Sequence, residues 1–593
     1  MSQLVGNPLI NVNFIDETAY TTPASDADIV SVIVDTNWGP CNQPIVCDSS
    51  SYRELFNPSG LGRLNGTMAT VQRAFGAGAA YVEVLRLGSK ESWKFFRLNL
   101  HELVEEHSGG GDAVPRIATS QMELVEVQYG SHPILNSFAD ANIEVSAESA
   151  YFRLRYPGGF PMRVSVRPSV RGSFMGKSLF DIVVEAFSGF ITNNGAEEPT
   201  FTVLESLQVS FTPLEANGQS LFYADVIAQR SSYLVADAEA SYAAFSAGFS
   251  ADLGISGEVS IGVAESETSL SYAFAYEASD WELAYSLLES RDTSRPTLLV
   301  NSFLPVAVDD VSALQGILVK VSSLAEGRKD CNALLGFPTF VEDSLYWSGG
   351  FDLASEQRTV ANASRWFSAV GQNGSCMFSD GIVGWETYTL STVCGRKSFN
   401  LDCTAAWAGR ICSVAQSQHN RNQLPSYKAF GSFSGSLVRS LSFKSVVDLH
   451  DNFGIGSVYH TALGNFIFDI RSLYGATESY FARMNVMRVC AALLGASYDI
   501  VEQVIHTDAA ANRDNRLKLE SKLNSLIGDM QARGELRAQS YADVGDTLNT
   551  DTLTKGGRYL NIRLNCWFIG LVERVNITVV ATDSSVDANI SMG

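Results

Sequence analysis

The hydrophobic positions near the start of the chain follow a strand–helix–strand order. Residues 29–34, IVSVIV, form a continuous apolar run, which is typical of a strand buried on both faces of a sheet. Ser49, Ser50 and Ser51 can cap a short helix, YRELF, and Thr67 can cap a second one. A further apolar strand is predicted at 81–87, so this part of the chain is predicted to form an α/β unit.

The pattern changes to β over residues 89–290. Short runs rich in Val, Ile, Phe and Tyr, such as YFRLRY and MRVSVRP, alternate with Gly, Pro and Asn turns. Residues 236–280 are dominated by Ala, Ser, Gly and Glu, which indicates an exposed elaboration. Strand–helix alternation returns with a buried strand at 297–300 and a helix after Asp310, whose apolar stripe is Leu314, Ile317, Leu318, Val321 and Leu324. The α/β unit is therefore predicted to consist of two separated pieces.

The last 150 residues have the most regular pattern. A helix is predicted at 479–494, and Asn512 can cap another whose apolar face is Leu519, Leu523, Leu526, Ile527 and Met530. The opposite face of this second helix carries Arg516, Lys518, Glu520 and Lys522, and it is predicted to be solvated. Two strands are predicted after it, at 558–568 and 574–580.

Both ends of the chain carry alternating segments that lack enough apolar surface for a core of their own. Such a segment either stays disordered or pairs with a sheet edge elsewhere. We interpret both as extended arms. The predicted arm residues are Leu9, Ile10, Val12, Phe14, Val575, Ile577 and Val579.

Composition and charge exclude some classes of protein. The chain has 593 residues, 46% hydrophobic and 18% charged, which excludes a disordered protein and allows several cores. A net charge of −22 argues against a nucleic-acid partner. Residues 1–17 lack the pattern of a signal peptide, and the apolar runs are too short to insert into a membrane, so synthesis and folding in a cytoplasm are expected.

The motifs of nucleotide-binding proteins and hydrolases are incomplete. In the segment 172–178, GSFMGKS, only three residues separate the glycines, whereas a phosphate-binding loop needs four, so we predict a β-turn. In the segment 431–435, GSFSG, the second serine lies one place too late for a nucleophile elbow, so we predict a flexible turn. No catalytic residue and no cofactor is predicted.

The metal-ligating residue types are likewise scattered. The segment 101–107, HELVEEH, does not have the HExxH spacing and is interpreted as a surface charge cluster. The nine cysteines form no CxxC pair and are interpreted as buried thiols, with Cys41 and Cys47 as the pair nearest to each other. No metal site is predicted.

Several segments, in the right order, resemble the contractile tail sheath family of myovirus-type phages. Residues 30–47, VSVIVDTNWGPCNQPIVC, and the helix YRELF are similar to the family's strand, Gly-Pro turn and short helix. FGAGAAYVEVLRL at 75–87, SYFARMNVMRVCAA at 479–492 and YLNIRLNCWFIG at 559–570 resemble later family segments. The resemblance covers about two-thirds of the chain. Residues 570–574, GLVER, depart from it because they lack the family's prolines.

The resemblance implies an α+β multidomain fold, with a two-piece α/β middle domain, a β-rich outward insert and an α+β C-terminal domain. The implied divisions are an N-terminal arm at 1–25, the middle domain at 26–88 and 291–445, the insert at 89–290, the tube-facing domain at 446–573 and a C-terminal arm at 574–593. Candidates for contact with the tube are Arg513, Arg516, Lys518 and Lys522.

The function implied is that of a structural, non-enzymatic subunit of the virion tail, assembled in the host cytoplasm. Such subunits form hexameric rings that stack as a helical sheath around a tail tube protein, meet baseplate and tail terminator proteins, and contract to drive the tube through an envelope. A sheath subunit of a bacterial contractile injection or bacteriocin system has the same fold and stays open as an alternative. From another class, the composition leaves open a cytoplasmic hydrolase with an unrecognised site.

Overall fold

The computed structural model has a mixed α+β, multidomain fold, as predicted for the fold class. Nine helices and twenty-four strands lie within the residues that the model describes. The described residues are 27–57, 66–88, 90–99, 122–128, 149–175, 177–211, 213–236, 257–262, 276–303, 310–336, 377–381, 386–392, 395–401, 404–423, 432–433, 436–437, 442–453, 456–468, 471–472, 482–504, 512–549 and 560–569.

The strands and helices are numbered separately in chain order. The strands are β1 Ile29–Val34, β2 Pro44–Cys47, β3 Tyr81–Arg86, β4 Ser92–Asn99, β5 Met122–Gln128, β6 Ser149–Leu154, β7 Met162–Phe174, β8 Lys177–Asn193, β9 Ala196–Val209, β10 Glu215–Ala216, β11 Gln219–Ser220, β12 Leu234–Ala236, β13 Gly257–Ile261, β14 Leu298–Val300, β15 Asn332–Gly336, β16 Met377–Gly381, β17 Glu386–Thr392, β18 Gly395–Leu401, β19 Ser432–Phe433, β20 Ser436–Leu437, β21 Val458–Thr461, β22 Gly464–Ile467, β23 Tyr541–Asp543 and β24 Arg563–Asn565. The helices are α1 Ser49–Phe56, α2 Gly66–Gly76, α3 Tyr223–Arg230, α4 Ala278–Leu287, α5 Asp310–Arg328, α6 Thr404–Gln418, α7 Phe443–Phe453, α8 Met484–Glu502 and α9 Arg513–Ala532.

A six-stranded sheet in the order β16-β15-β14-β1-β3-β2 combines strands from two distant parts of the chain. All neighbours are parallel except β2, which runs antiparallel to β3. Every residue of β1 is buried, because helices cover both faces of the sheet. Val30 packs in a cluster with α1, α2 and α6, whereas Ile33 packs in a cluster with α4 and α5. This alternation explains why IVSVIV is apolar on both faces.

The segment between β3 and α4 forms two four-stranded antiparallel sheets, β12-β6-β4-β5 and β13-β7-β8-β9. Their apolar faces share one core, which includes Phe96, Phe152, Val164, Ile182 and, from α3, Val226. The two sheets and α3 are therefore held together by common burial of apolar surface.

Helices α8 and α9 form a separate core with the strands β23 and β24. Val489 and Leu493 of α8 pack with Leu519, Leu523 and Ile527 of α9. The predicted stripe of α9 is confirmed at these positions, as is the Asn512 cap, whose side chain accepts a hydrogen bond from the Asp514 amide.

Four local predictions need correction. The cap of α1 is Asp48 rather than Ser49–Ser51, because its carboxylate accepts hydrogen bonds from the amides of Ser50 and Ser51 at 2.9 and 2.8 Å. Helix α8 begins at Met484 rather than 479, since Arg483 is extended and bridges to Arg471. In the described part of the strand predicted at 558–568, residues 560–568, only β24 is a regular strand. Within the predicted flexible turn at 431–435, β19 pairs antiparallel with β22.

The chain was predicted to contain no membrane-inserting segment. Among the described helices, only α8 is long and apolar enough to cross a membrane by length and composition, and half of its apolar window is buried in the fold. It also carries the buried cation Arg488. A core helix of a folded protein has the same properties.

Candidate assembly surfaces and domain junctions

The predicted arm residues lie outside the described part of the chain. These residues are Leu9, Ile10, Val12, Phe14, Val575, Ile577 and Val579, and their role stays a prediction. Asp28 lies at the start of the described residues, directly before β1.

Asp28 forms a buried ion cluster with residues from the C-terminal half. One carboxylate oxygen accepts a hydrogen bond from Arg488 Nη2 at 2.6 Å, and the other accepts one from Arg421 Nε at 3.2 Å. Arg421 in turn lies 3.5 Å from Glu535. The four side chains come from the residue before β1, the segment after α6, the first half of α8 and the segment after α9. The cluster therefore joins the segment directly before β1 to the C-terminal half of the chain.

The electrostatics of the cluster favour a charged Asp28. Burial raises the pKa of this carboxyl, but the nearby Arg488 and Arg421 guanidinium groups outweigh burial and hold the pKa below its ordinary value. Arg488 also donates to the main-chain oxygen of Arg421 at 3.2 Å, so the cations have partners besides Asp28. A buried charge cluster needs such additional hydrogen bonds to offset its desolvation.

A second junction is built around Arg86, at the end of β3 where the chain leaves the six-stranded sheet. Arg86 is fully buried and donates to the main-chain oxygens of Thr36 and Gly39, both at 2.6 Å, and of Pro157 at 2.9 Å. Its guanidinium also lies 3.5 Å from Glu91. This one side chain ties the sheet to the inserted β sheets.

The close approach at this junction requires a glycine. Gly158 has φ +131°, and a Cβ there would lie 2.4 Å from the Asn37 oxygen and 2.6 Å from Arg86 Nη2. Only a residue without a side chain fits both the conformation and the space.

The four cations predicted to face the tube occupy different environments on α9. Lys518 is exposed, Arg513 lies 3.7 Å from Asp546, and Lys522 donates to Gln503 at 2.8 Å. Arg516 is buried and forms an ion pair with Asp546.

The prediction that Arg516 lies on a solvated face is therefore wrong, because the loop after β23 brings Asp546 over it. The role of the four cations in contacting a tube stays a prediction.

Strands β23 and β24 form a two-stranded antiparallel sheet beside α9. Each strand has three residues, and in the described part of the chain neither has a second partner strand. Asn549 is fully buried and holds the connection between them, donating to the main-chain oxygens of Val544, Gly545 and Asn561, each at 3.1 Å. Two aromatic side chains at this sheet are partly exposed and stacked, Tyr541 and Trp567.

The phosphate-loop-like segment forms a hairpin turn, as predicted. Phe174 pairs with Lys177 across a two-residue loop in which Met175 has φ +51°. Such a turn does not gather backbone N–H groups into a phosphate-binding nest.

Cys41 and Cys47 are not activated thiols, and the described residues provide no metal-binding group. They contain no group of three His, Cys, Asp or Glu side chains placed to hold a metal. Cys41 and Cys47 are free thiols, and burial raises the pKa of Cys41 to about 11 and that of Cys47 to about 12. Both stay protonated and weakly nucleophilic at neutral pH. The segment 101–107 lies outside the described residues.

Neither the Asp28 cluster nor the Arg86 junction was predicted from the sequence. One local clue existed for Arg488, which interrupts the apolar sequence MNVMRVCAA and so needs a buried anion. Nothing near Asp28 in the sequence indicates its partner, because Arg488 lies 460 residues away.

Solved structures similar to this chain include sheath tail proteins and a contractile sheath. No protein-family model and no curated protein sequence matches the chain.

Two bacterial sheath tail proteins match most of the length. The sheath tail protein of Listeria innocua is 12% identical, with a TM-score of 0.48 over 89% of this chain and 90% of its own. That of Desulfitobacterium hafniense is 11% identical, with a TM-score of 0.44 over 88% of this chain and 92% of its own. The helical sheath of the anti-feeding prophage in its contracted state is 10% identical, with a TM-score of 0.37 over 55% of this chain and 78% of its own.

Proposed function

We propose that this protein is the sheath subunit of a contractile phage tail. It polymerises as stacked hexameric rings around a tail tube and contracts to drive the tube through the host envelope. The observation that carries the proposal is the small sheet of β23 and β24, in a chain whose two ends have alternating sequence. Two short strands are marginal alone. Ala542 of β23 already bonds to the Asn524 side chain of α9, so the outer edge of β24 is the one proposed to receive a further strand.

Strand addition supplies adhesion that depends little on side chains. Each main-chain hydrogen bond contributes only about 0.5–1.5 kcal/mol net. Two arms on each subunit act together, because binding of the first raises the effective concentration of the second. The arm segments around Leu9–Phe14 and Val575–Val579 are proposed to join sheets of neighbouring subunits.

The energy for contraction is proposed to be stored in a metastable extended lattice. No nucleotide is needed in this scheme, which agrees with the hairpin turn found in place of a phosphate loop at 172–178. The switch to the contracted lattice then releases energy by repacking subunits.

The proposed partners are a tail tube protein inside the sheath and baseplate and terminator proteins at its ends. Tube contact is assigned to Arg513, Lys518 and Lys522, while the buried Arg516 fixes the Asp546 loop beside them. The virion tail is the proposed location, after assembly in the host cytoplasm. A bacterial contractile injection machine would use the same subunit architecture, and particle morphology separates the two.

The test is sedimentation velocity and negative-stain microscopy of the purified full chain and two truncations. The full chain should form rings or hollow tubes at high concentration. Deleting residues 1–20 should leave a folded, monomeric protein, judged by circular dichroism. Deleting residues 584–593, which lack apolar alternation, is the matched control and should still assemble. A full chain that stays monomeric at all salt and protein concentrations would contradict the proposal.

A further inference from the structure

The inserted sheet β13-β7-β8-β9 is long and has two different ends. Strand β8 has 17 residues, and at about 3.3 Å per residue its ends lie roughly 50 Å apart. One end is the hairpin turn between β7 and β8, and the other is the turn between β8 and β9. We call them the 175 end, residues 169–178, and the 195 end, residues 191–200.

The 175 end combines positive charge with exposed apolar side chains. Its sequence, SVRGSFMGKS, contains Arg171 and Lys177 and no acidic residue. Val170 is fully exposed, Met175 is 77% exposed and Phe174 is 37% exposed. Large apolar side chains grouped at one exposed turn are typical of a contact surface.

The 195 end has the opposite charge. Its sequence, ITNNGAEEPT, contains Glu197 and Glu198 and no basic residue. Ile191 is 53% exposed there. Asn194 and Gly195 both have positive φ, which closes a tight turn.

A side chain near the middle of the sheet links its four strands. Arg163 of β7 bonds to Glu185 of β8 at 2.7 Å, to Glu258 of β13 at 3.2 Å, and lies 4.1 Å over the ring of Phe201 of β9. This contact joins all four strands near the middle of β8, between the basic end and the acidic end.

We infer that the 175 end of one subunit docks on the 195 end of a second copy of this chain, through opposite charges and shared apolar contacts. The inference rests on the proposed polymer. A head-to-tail contact of this kind does not pair identical surfaces, so it generates a ring or an open helical array. Opposite charges at the two ends also favour this orientation over contacts between identical ends.

The test reverses the charge of each end in the full chain. One variant carries Arg171→Glu and Lys177→Glu, and the other carries Glu197→Lys and Glu198→Lys. Each should raise the concentration needed for assembly by roughly tenfold or more, because every contact then joins like charges. A chain with all four changes, and a 1:1 mixture of the two variants, should both recover assembly to within about threefold of wild type.

Circular dichroism checks that each variant is folded, and Val170→Ser with Met175→Asn tests the 175 end without changing its charge. This apolar variant should also weaken assembly. The docking of these ends is refuted if the folded charge variants assemble like wild type. It is also refuted if neither the chain with all four substitutions nor the 1:1 mixture restores assembly. In both cases the proposed polymer is not contradicted. A wild-type chain that never assembles refutes the proposed function and, with it, this inference.

Discussion

The Arg86 junction and the Asp28 cluster both connect distant parts of the chain through buried arginines, but they do so with different acceptors. Arg86 bonds mainly to main-chain oxygens, those of Thr36, Gly39 and Pro157. Arg421 and Arg488 bond to the carboxylate of Asp28. A main-chain carbonyl does not titrate and a carboxylate does. The attachment of the inserted sheets thus depends mainly on groups that do not titrate, whereas the segment before β1 is attached by charges that acid removes.

The largest effect is expected from Arg86→Ala. This change leaves three buried carbonyls and the carboxylate of Glu91 without the guanidinium, so the unfolding free energy should fall by about 5 kcal/mol. Chemical denaturation of the purified protein measures it. Arg86→Lys is the matched control, and it should recover only part of the loss, because an ammonium group cannot reproduce the planar fork. A loss below about 1 kcal/mol in the alanine variant would contradict this account.

Asp28→Asn should have the next largest effect at neutral pH. The substitution keeps the shape but removes the charge between Arg421 and Arg488. Glu535 remains as an anion beside Arg421, but it also pairs with Arg533. The unfolding free energy should fall by about 3 kcal/mol. The same denaturation experiment tests it, with the same substitution at the exposed Asp292 as control. Equal stability of both variants would show that the cluster contributes little.

The contributions of the Asp28 cluster and the Arg86 junction to stability should also differ in their dependence on pH. Because the pKa of Asp28 is lowered in the folded state, its stabilisation is present above the unfolded pKa of about 3.9 and is lost as pH falls through the folded pKa. The wild type and Asp28→Asn should therefore converge in stability below about pH 4. The Arg86→Ala difference should persist through the same range. Thermal unfolding of the wild type, Asp28→Asn and Arg86→Ala from pH 7 to pH 3 distinguishes the two junctions. If stability changes with pH in the same way in all three proteins, the two junctions do not differ in pH dependence.

The smallest loss of unfolding free energy is expected when an exposed ion pair is removed, and this loss serves as a reference for the buried pairs. Lys320 lies 2.7 Å from Glu289, and both side chains are substantially solvated. Lys320→Ala should change the unfolding free energy by less than about 1 kcal/mol, and added salt should reduce the difference further. A loss comparable to that of Asp28→Asn would mean that burial does not decide the strength of these pairs.

The sequence predicted elements whose pattern is local. The stripe of α5, from Leu314 to Leu324, repeats at helical spacing, and the fully apolar IVSVIV is typical of a strand covered on both faces. The cap of α1 was missed by one residue, because Asp48 and the three serines after it can all accept amide hydrogen bonds. The division into two α/β pieces followed from the return of alternation after residue 296, although the domain boundaries stay predictions.

The contacts between regions could not be predicted in the same way. Hydrophobic periodicity describes one element at a time, and the partner of Asp28 lies on a helix near the other end of the chain. The register of β1 against β14 likewise depends on tertiary packing rather than on either segment alone. For the same reason Arg516, which the helical pattern places on a polar face, is buried by a loop that the pattern does not describe.

The two-piece sheet has a consequence for synthesis on the ribosome. Ile29 bonds to Thr297, which lies 268 residues later in the chain. At about 5–20 residues per second, β1 emerges roughly 13 to 54 s before the strand that completes its pairing. During this interval β1 has β3 as a partner on one side only, and its other edge is open to strands of neighbouring nascent chains. The inserted sheets, which contain their own core, are complete in sequence before β14 is made, so we expect them to fold first and to bring the two halves of the central sheet together.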